Sequence, residues 1–149
     1  DPMRAIQTKK YLYLFNPWSN GERIFATATN GTVTCKRMIA LAEEDEEMNK
    51  RLELYRFRVP EELYQVNQDP DCLDNLIDYA SKEKERIRLE GLLEEWMVRT
   101  KDPILETFRN RDDPELVEAY VQKLEAEANA RRIANKPKSP KKAQPKKKP

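Results

Sequence analysis

Apolar positions near the start of the chain follow a strand pattern. Residues 3–8 form a short extended candidate, and Tyr11-Leu12-Tyr13-Leu14-Phe15 is an unbroken apolar and aromatic run, the pattern of a strand buried on both faces. Asn16-Pro17 ends that run. Asn20-Gly21 suits a type I′ turn, whose two central residues need positive φ, so residues 22–29 are expected to return as the second arm of a hairpin. Asn30-Gly31 marks a second turn. From there the spacing becomes helical. Thr34 is expected to cap a helix through Met38, Ile39, Leu41 and Ala42, and Asp45 a continuation carrying Met48, Leu52 and Tyr55. Pro60 closes this region. Leu63-Tyr64-Gln65-Val66 reads as a brief strand, ended by the turn cluster Asn67-Gln68-Asp69-Pro70-Asp71.

The second half is helical. Residues 81–100 carry Leu89, Leu92, Leu93, Trp96 and Met97 in one stripe, expected to pack into the core. Asp102-Pro103 breaks the chain. Asp113-Pro114 then places an N-cap side chain before a proline at the first helical position, and Val117, Tyr120, Val121, Leu124 and Ala128 continue that helix to about Ala134. The expected fold is α+β: a small antiparallel sheet with a hairpin, packed against long amphipathic helices. Residues 1–110 form the main unit, 111–135 an additional amphipathic helix and 136–149 a Lys/Pro-rich tail. The tail is expected to be disordered, because it has almost nothing to bury.

Composition sharpens the picture. With 37% charged and 38% apolar residues, the 149-residue chain has the material for one domain and little apolar surface to spare. A net charge of +1 hides an asymmetry: seven of the 28 basic residues lie in 136–149, leaving 21 against 27 acids in the body, a net of −6. No run reaches the ~20 apolar residues that a membrane-spanning helix needs.

The chain contains no histidine, which removes the commonest general base and metal ligand. Its three glycines, Gly21, Gly31 and Gly91, make no phosphate loop, and no Gly-x-Ser-x-Gly motif occurs. The acidic run 43–47 is expected on a solvated helix face, since it lacks the alternating ligands and turn glycine of a calcium loop. Asp69, Asp71 and Asp74 are expected to shape a turn and cap a helix. Asn30-Gly31-Thr32 matches an N-glycosylation acceptor. Cys35 and Cys72 suit either one disulfide or two buried thiols. The basic and aromatic group Arg4, Lys9, Lys10, Tyr11, Tyr13 and Trp18 reads first as strand packing. Within it, Arg4 and Trp18 are candidates to border a cleft for a sugar or an anion, because an arginine fork donates two parallel hydrogen bonds.

Three segments taken in order carry a resemblance. Residues 4–13, Arg-Ala-Ile-Gln-Thr-Lys-Lys-Tyr-Leu-Tyr, look like the strand pair that opens the C-terminal subdomain of sulfatases. Glu62-Leu63-Tyr64 followed by Asp69-Pro70 and Asn75-Leu76 is similar to that family's Glu-Leu-Tyr, Asp-Pro, Asn-Leu segment. Residues 96–103, Trp-Met-Val-Arg-Thr-Lys-Asp-Pro, resemble the end of the helix that follows. The last piece and the long insertion between the first two are most similar to the heparan N-sulfatase (N-sulfoglucosamine sulfohydrolase, sulfamidase) branch, over roughly Met3 to Phe108.

The resemblance implies a C-terminal fragment of a sulfatase-type hydrolase acting on sulfuric esters or N-sulfates of sulfated sugars, including glycosaminoglycans. Such a fragment shapes the substrate cleft, with Arg4 and Trp18 as its candidate substrate contacts. It implies an N-terminal sulfatase catalytic domain as partner, a sulfated saccharide as ligand, and an exported (periplasmic or extracellular) or lysosomal setting. The formylglycine and calcium of the family belong to that other domain. Neither Cys35-Lys36-Arg37 nor Cys72-Leu73-Asp74 fits the Cys/Ser-x-Pro/Ala-x-Arg motif, so no catalytic residue, metal ligand or cofactor is assigned to this chain. Cys72 stands where the family usually has an acid. The alternative is a stand-alone, non-enzymatic module that binds anionic partners through its lysine tail. Nucleic acid is disfavoured as that partner, because the acidic body offers no basic face.

Overall fold

A computed structural model describes residues 2–25 and 27–135. Its centre is a three-stranded antiparallel sheet in the order β1 (Arg4–Gln7), β2 (Leu12–Phe15), β3 (Glu61–Tyr64). The register pairs Ile6 with Tyr13 and Tyr13 with Leu63, which places these three on one face. The helices are α1 (Val33–Ala42), α2 (Glu46–Phe57), α3 (Glu83–Thr100), α4 (Leu105–Arg109) and α5 (Pro114–Ala134). The α+β expectation of a small antiparallel sheet packed against helices is what forms. The tail reading falls on residues outside those described.

The hairpin is not where the sequence suggested. Among the described residues 22–25 and 27–29 no strand forms; a short 3-10 turn, Ala28–Gly31, follows. The hairpin joins β1 to β2 across Lys9-Lys10. Thr8 N donates to Tyr11 O at 2.8 Å, and Thr8 Oγ1 accepts from Lys10 N and Tyr11 N at 3.3 and 3.0 Å. A threonine side chain closes this turn, so no Asn-Gly signal was needed. Asn20-Gly21 serves a surface loop instead. There Gly21 supplies φ +82° and Asn20 Oδ1 accepts from Glu22 N and Arg23 N.

The main core lies between the sheet and α3: Tyr13, Phe15 and Leu63 meet Leu89, Leu93 and Met97, with Ile104 and Phe108 closing one end. Phe108 stands edge-on to Phe15 at 5.2 Å. The stripe expected on α3 is rotated. Leu89, Leu93 and Met97 are buried, whereas Leu92 and Trp96 are 36% and 41% exposed. Glu90 takes the buried position beside that line, because two arginines neutralise it. Lys101 ends α3 in the left-handed conformation (φ 53°), and its N–H bonds back to the last turn.

The α1–α2 pair leaves the sheet after β2 and returns at β3. Thr32, not Thr34, caps α1 by accepting from Cys35 N. Asp45 caps α2 as expected, accepting from Met48 N, so the acidic run 43–47 spans a helix break and supplies acids to the first turn of α2. This pair has a core of its own around Leu52 and Cys35. Trp18 stacked on Phe25 (5.1 Å, 16°) and Phe25 edge-on to Tyr55 tie the loop after β2 to α2. At α5, Asp113 accepts from Glu115 N and Leu116 N, and Pro114 opens the helix, as the sequence implied. Arg23 grips Glu118 with two nitrogens at 2.8 and 2.7 Å and so ties α5 to the surface loop. Two hydrogen bonds, from Arg23 and Gln122, bring the Glu118 carboxyl down to about 2.

Candidate functional site

Successive residues of a strand point to opposite faces, so Glu61 and Glu62 at the start of β3 project to the two sides of the sheet. Each organises an ionic cluster. Glu62 is 0% exposed and accepts from Asn16 Nδ2 (2.7 Å), Arg58 Nη1 (2.5 Å) and Tyr64 Oη (2.7 Å). A buried carboxylate survives only with such pairing. On the other side Glu61 accepts from Tyr13 Oη and lies 3.3 Å from Arg111 Nε. Arg111 Nη2 donates to Glu90 at 2.8 Å, and Glu90 also takes Arg86 Nη1 at 2.6 Å.

Two concavities flank these clusters. One, of about 180 Å³, lies between the helical pair and the loop after β3, lined by Arg51, Arg58, Tyr55, Tyr64, Cys72 and neighbouring apolar side chains. The other, about 410 Å³ and open, is lined by Glu61, Asp78, Tyr79, Glu83 and Arg86. In the smaller one, burial, together with the nearby Asp69, pushes the Cys72 thiol up. Burial and the hydrogen bond to Glu62 push the Tyr64 hydroxyl far above its usual range, and burial with Glu61 does the same to Tyr13. These groups stay protonated at neutral pH, so neither the thiol nor the phenols are poised as nucleophiles or bases. The arrangement can hold a shape and offer arginine donors.

The residues singled out from the sequence are not brought together. Arg4 donates through Nε (2.6 Å) and Nη2 (3.0 Å) to the two oxygens of Asp102, and through Nη1 to Met3 O. Burial raises the Asp102 carboxyl, but the bonds from Arg4 and from Ile104 N–H outweigh it and hold the group below its usual range. Trp18 is 1% exposed and serves the aromatic stack. Asp69 shapes the loop as expected, accepting from Leu73 N and Asp74 N at 2.8 and 2.9 Å. Cys35 and Cys72 are both free thiols. Asn30 is exposed, and its side-chain amide donates to Phe25 O. Arg111 was missed: a lone arginine between helices carries no sequence signal, and its partners lie on β3 and α3. Glu61 and Glu62 were missed because the strand was expected two residues later.

No family model matches the chain, and no curated protein matches it. Among the described residues no group of three or more His, Cys, Asp or Glu side chains comes together to hold a metal ion. This corrects the family identity drawn from the three sequence segments: sulfatase, hydrolase, sulfuric ester hydrolase and glycosaminoglycan are not terms that attach to this chain. Fold and clusters define an α+β module built on a three-stranded antiparallel sheet.

Proposed function

We propose that this chain is a non-catalytic accessory module that packs against a separate catalytic domain and shapes one wall of that domain's cleft. The observation that carries the reading is the outer flank of α3. Leu92 and Trp96, one turn apart, stay exposed beside the buried line Leu89-Leu93-Met97, in a chain with little apolar surface to spare. An exposed tryptophan continuous with a core line is the kind of surface another protein covers. On the likeness of the three segments alone, which no family model supports, we take that partner to be an exported or lysosomal domain that cleaves sulfate from a saccharide. The test is the coding sequence upstream of Asp1. An open frame containing a Cys/Ser-x-Pro/Ala-x-Arg motif supports the reading. In the joined polypeptide Trp96→Asp then lowers turnover of a sulfated glucosamine, while in the 149-residue chain it shifts stability by less than about 1 kcal/mol. A start codon beside Asp1 counts against it.

A second reading, a free-standing module that holds anionic partners through its tail, is favoured by the seven lysines of 136–149. Salt-sensitive binding to heparin that disappears on deleting those residues separates it from the first.

A further inference from the structure

The two edges of the sheet are treated differently. Hydrogen bonding alternates along an antiparallel strand. Thr8 N bonds Tyr11 O and Asn16 N bonds Pro60 O, which fixes the odd residues of β2 toward β1 and the even ones toward β3. On the outer side of β3, Leu63 N donates to Asn75 Oδ1 and Leu63 O accepts from Leu76 N, so that edge is closed by its own chain. On the outer side of β1 the same alternation turns the N–H and C=O of Ala5 and Gln7 outward. Neither residue's backbone has a partner there among the described residues. Both residues are exposed. Natural edge strands are guarded by shortness, charge, proline or a bulge, and β1 has only the first of these, at four residues. Here the two outward positions are a small and a neutral side chain, and no proline falls within β1. The strand is also held rigidly, since Arg4 is clamped to Asp102 and Ile6 packs on the core.

We infer that the outer edge of β1 is a docking site for one extended segment of a partner domain, which adds as a fourth strand. The inference rests on the reading that the chain works against a partner. The exposed main-chain groups define the occupant, because only another extended backbone satisfies alternating donors and acceptors. Half-buried Leu12 beside Gln7, and Ile6 on the other face, ask for alternating apolar side chains. Lys9 and Lys10 at the turn ask for an acid at that end. A second copy paired on this strand alone fits less well: four residues span only about 13 Å, far too little for the ~1,000 Å² of a stable dimer, whereas a partner domain also covers the exposed flank of α3.

The test is residue-resolved amide exchange on the 149-residue chain. The probe is an acetylated, amidated hexapeptide of alternating threonine and valine ending in glutamate, added at millimolar concentration. Exchange at Ala5 and Gln7 is expected to slow by about tenfold or more, while the amide of Leu63 stays unchanged. Ala5→Pro removes only an outward N–H, so it should abolish the response and keep the melting temperature; Ala5→Lys should do the same by guarding the edge. Four results would each overturn the inference: no slowing, equal slowing of Gln7 in A5P, protection of Ala5 before peptide is added, or protection that grows with protein concentration as a second copy pairs. In the joined polypeptide, a Trp96→Asp effect on turnover with Ala5 still exchanging freely removes the strand-addition inference alone. Protection of Ala5 with no Trp96 effect removes the α3 contact alone.

Discussion

Arg4 and Asp102, 98 positions apart in sequence, are joined by two hydrogen bonds that fasten the first strand to the end of α3. The Asp102 side chain is nearly buried and the Arg4 side chain about one-quarter exposed. Replacing Arg4 with alanine leaves an uncompensated carboxylate, and urea denaturation should show a loss of about 2–4 kcal/mol. Lysine, with one point charge in place of the fork, should recover only part of it. The pair also sets a pH dependence. The folded pKa of Asp102 is depressed, so its contribution is fully present above the unfolded value of about 3.9 and is lost as pH falls through the folded value. Asp102→Asn should flatten that acid limb; an unchanged limb would place the acid sensitivity elsewhere.

Leucines 92 and 93 are neighbours with opposite roles. Leu93 is 1% exposed in the core, and Leu93→Ala should cost about 2–5 kcal/mol. Leu92→Ala removes half-solvated surface and should cost less than about 1 kcal/mol. Chemical denaturation of the two variants side by side checks the rotation of α3. Equal losses would restore the stripe that the sequence alone suggests.

Cys72 sits at φ 54°, a left-handed conformation that a β-carbon resists. Cys72→Gly should therefore raise stability by about 0.5–1 kcal/mol, read as a shift in melting temperature. A fall in melting temperature would show that the contacts of the thiol in the small concavity outweigh the strain.

The elements legible in the sequence are those whose causes are local. Asp113 and Pro114 carry the start of α5 within two residues, and Asp45 does the same for α2. Tyr11-Leu12-Tyr13-Leu14-Phe15 reads as a doubly covered strand and becomes the central one. What escaped depends on distant partners. Hydropathy cannot show that Glu90 is buried, because Arg86 and Arg111 make it so. Nor can it show that Thr8 closes the hairpin with its side chain while Asn20-Gly21 bends a loop. The candidates Arg4 and Trp18 were chosen by residue type; Asp102 and Phe25, which decide what they do, lie elsewhere in the chain.

The backbone bond from Asn16 N to Pro60 O, 2.7 Å long, continues the β2–β3 ladder at the point where residues 17–59 leave and return. The excursion therefore starts and ends at one closed neck, while Arg58 at its end pairs with buried Glu62 and Arg23 near its start reaches Glu118 on α5. Closing a loop costs only about 0.6 kcal/mol more for each doubling of its length. Changes of length within the helical pair that keep Arg23 and Arg58 should therefore cost the strands beneath it little. A lineage carrying this fold can thus diversify the helical pair while the sheet stays constant, much as a fixed handle accepts different tool heads.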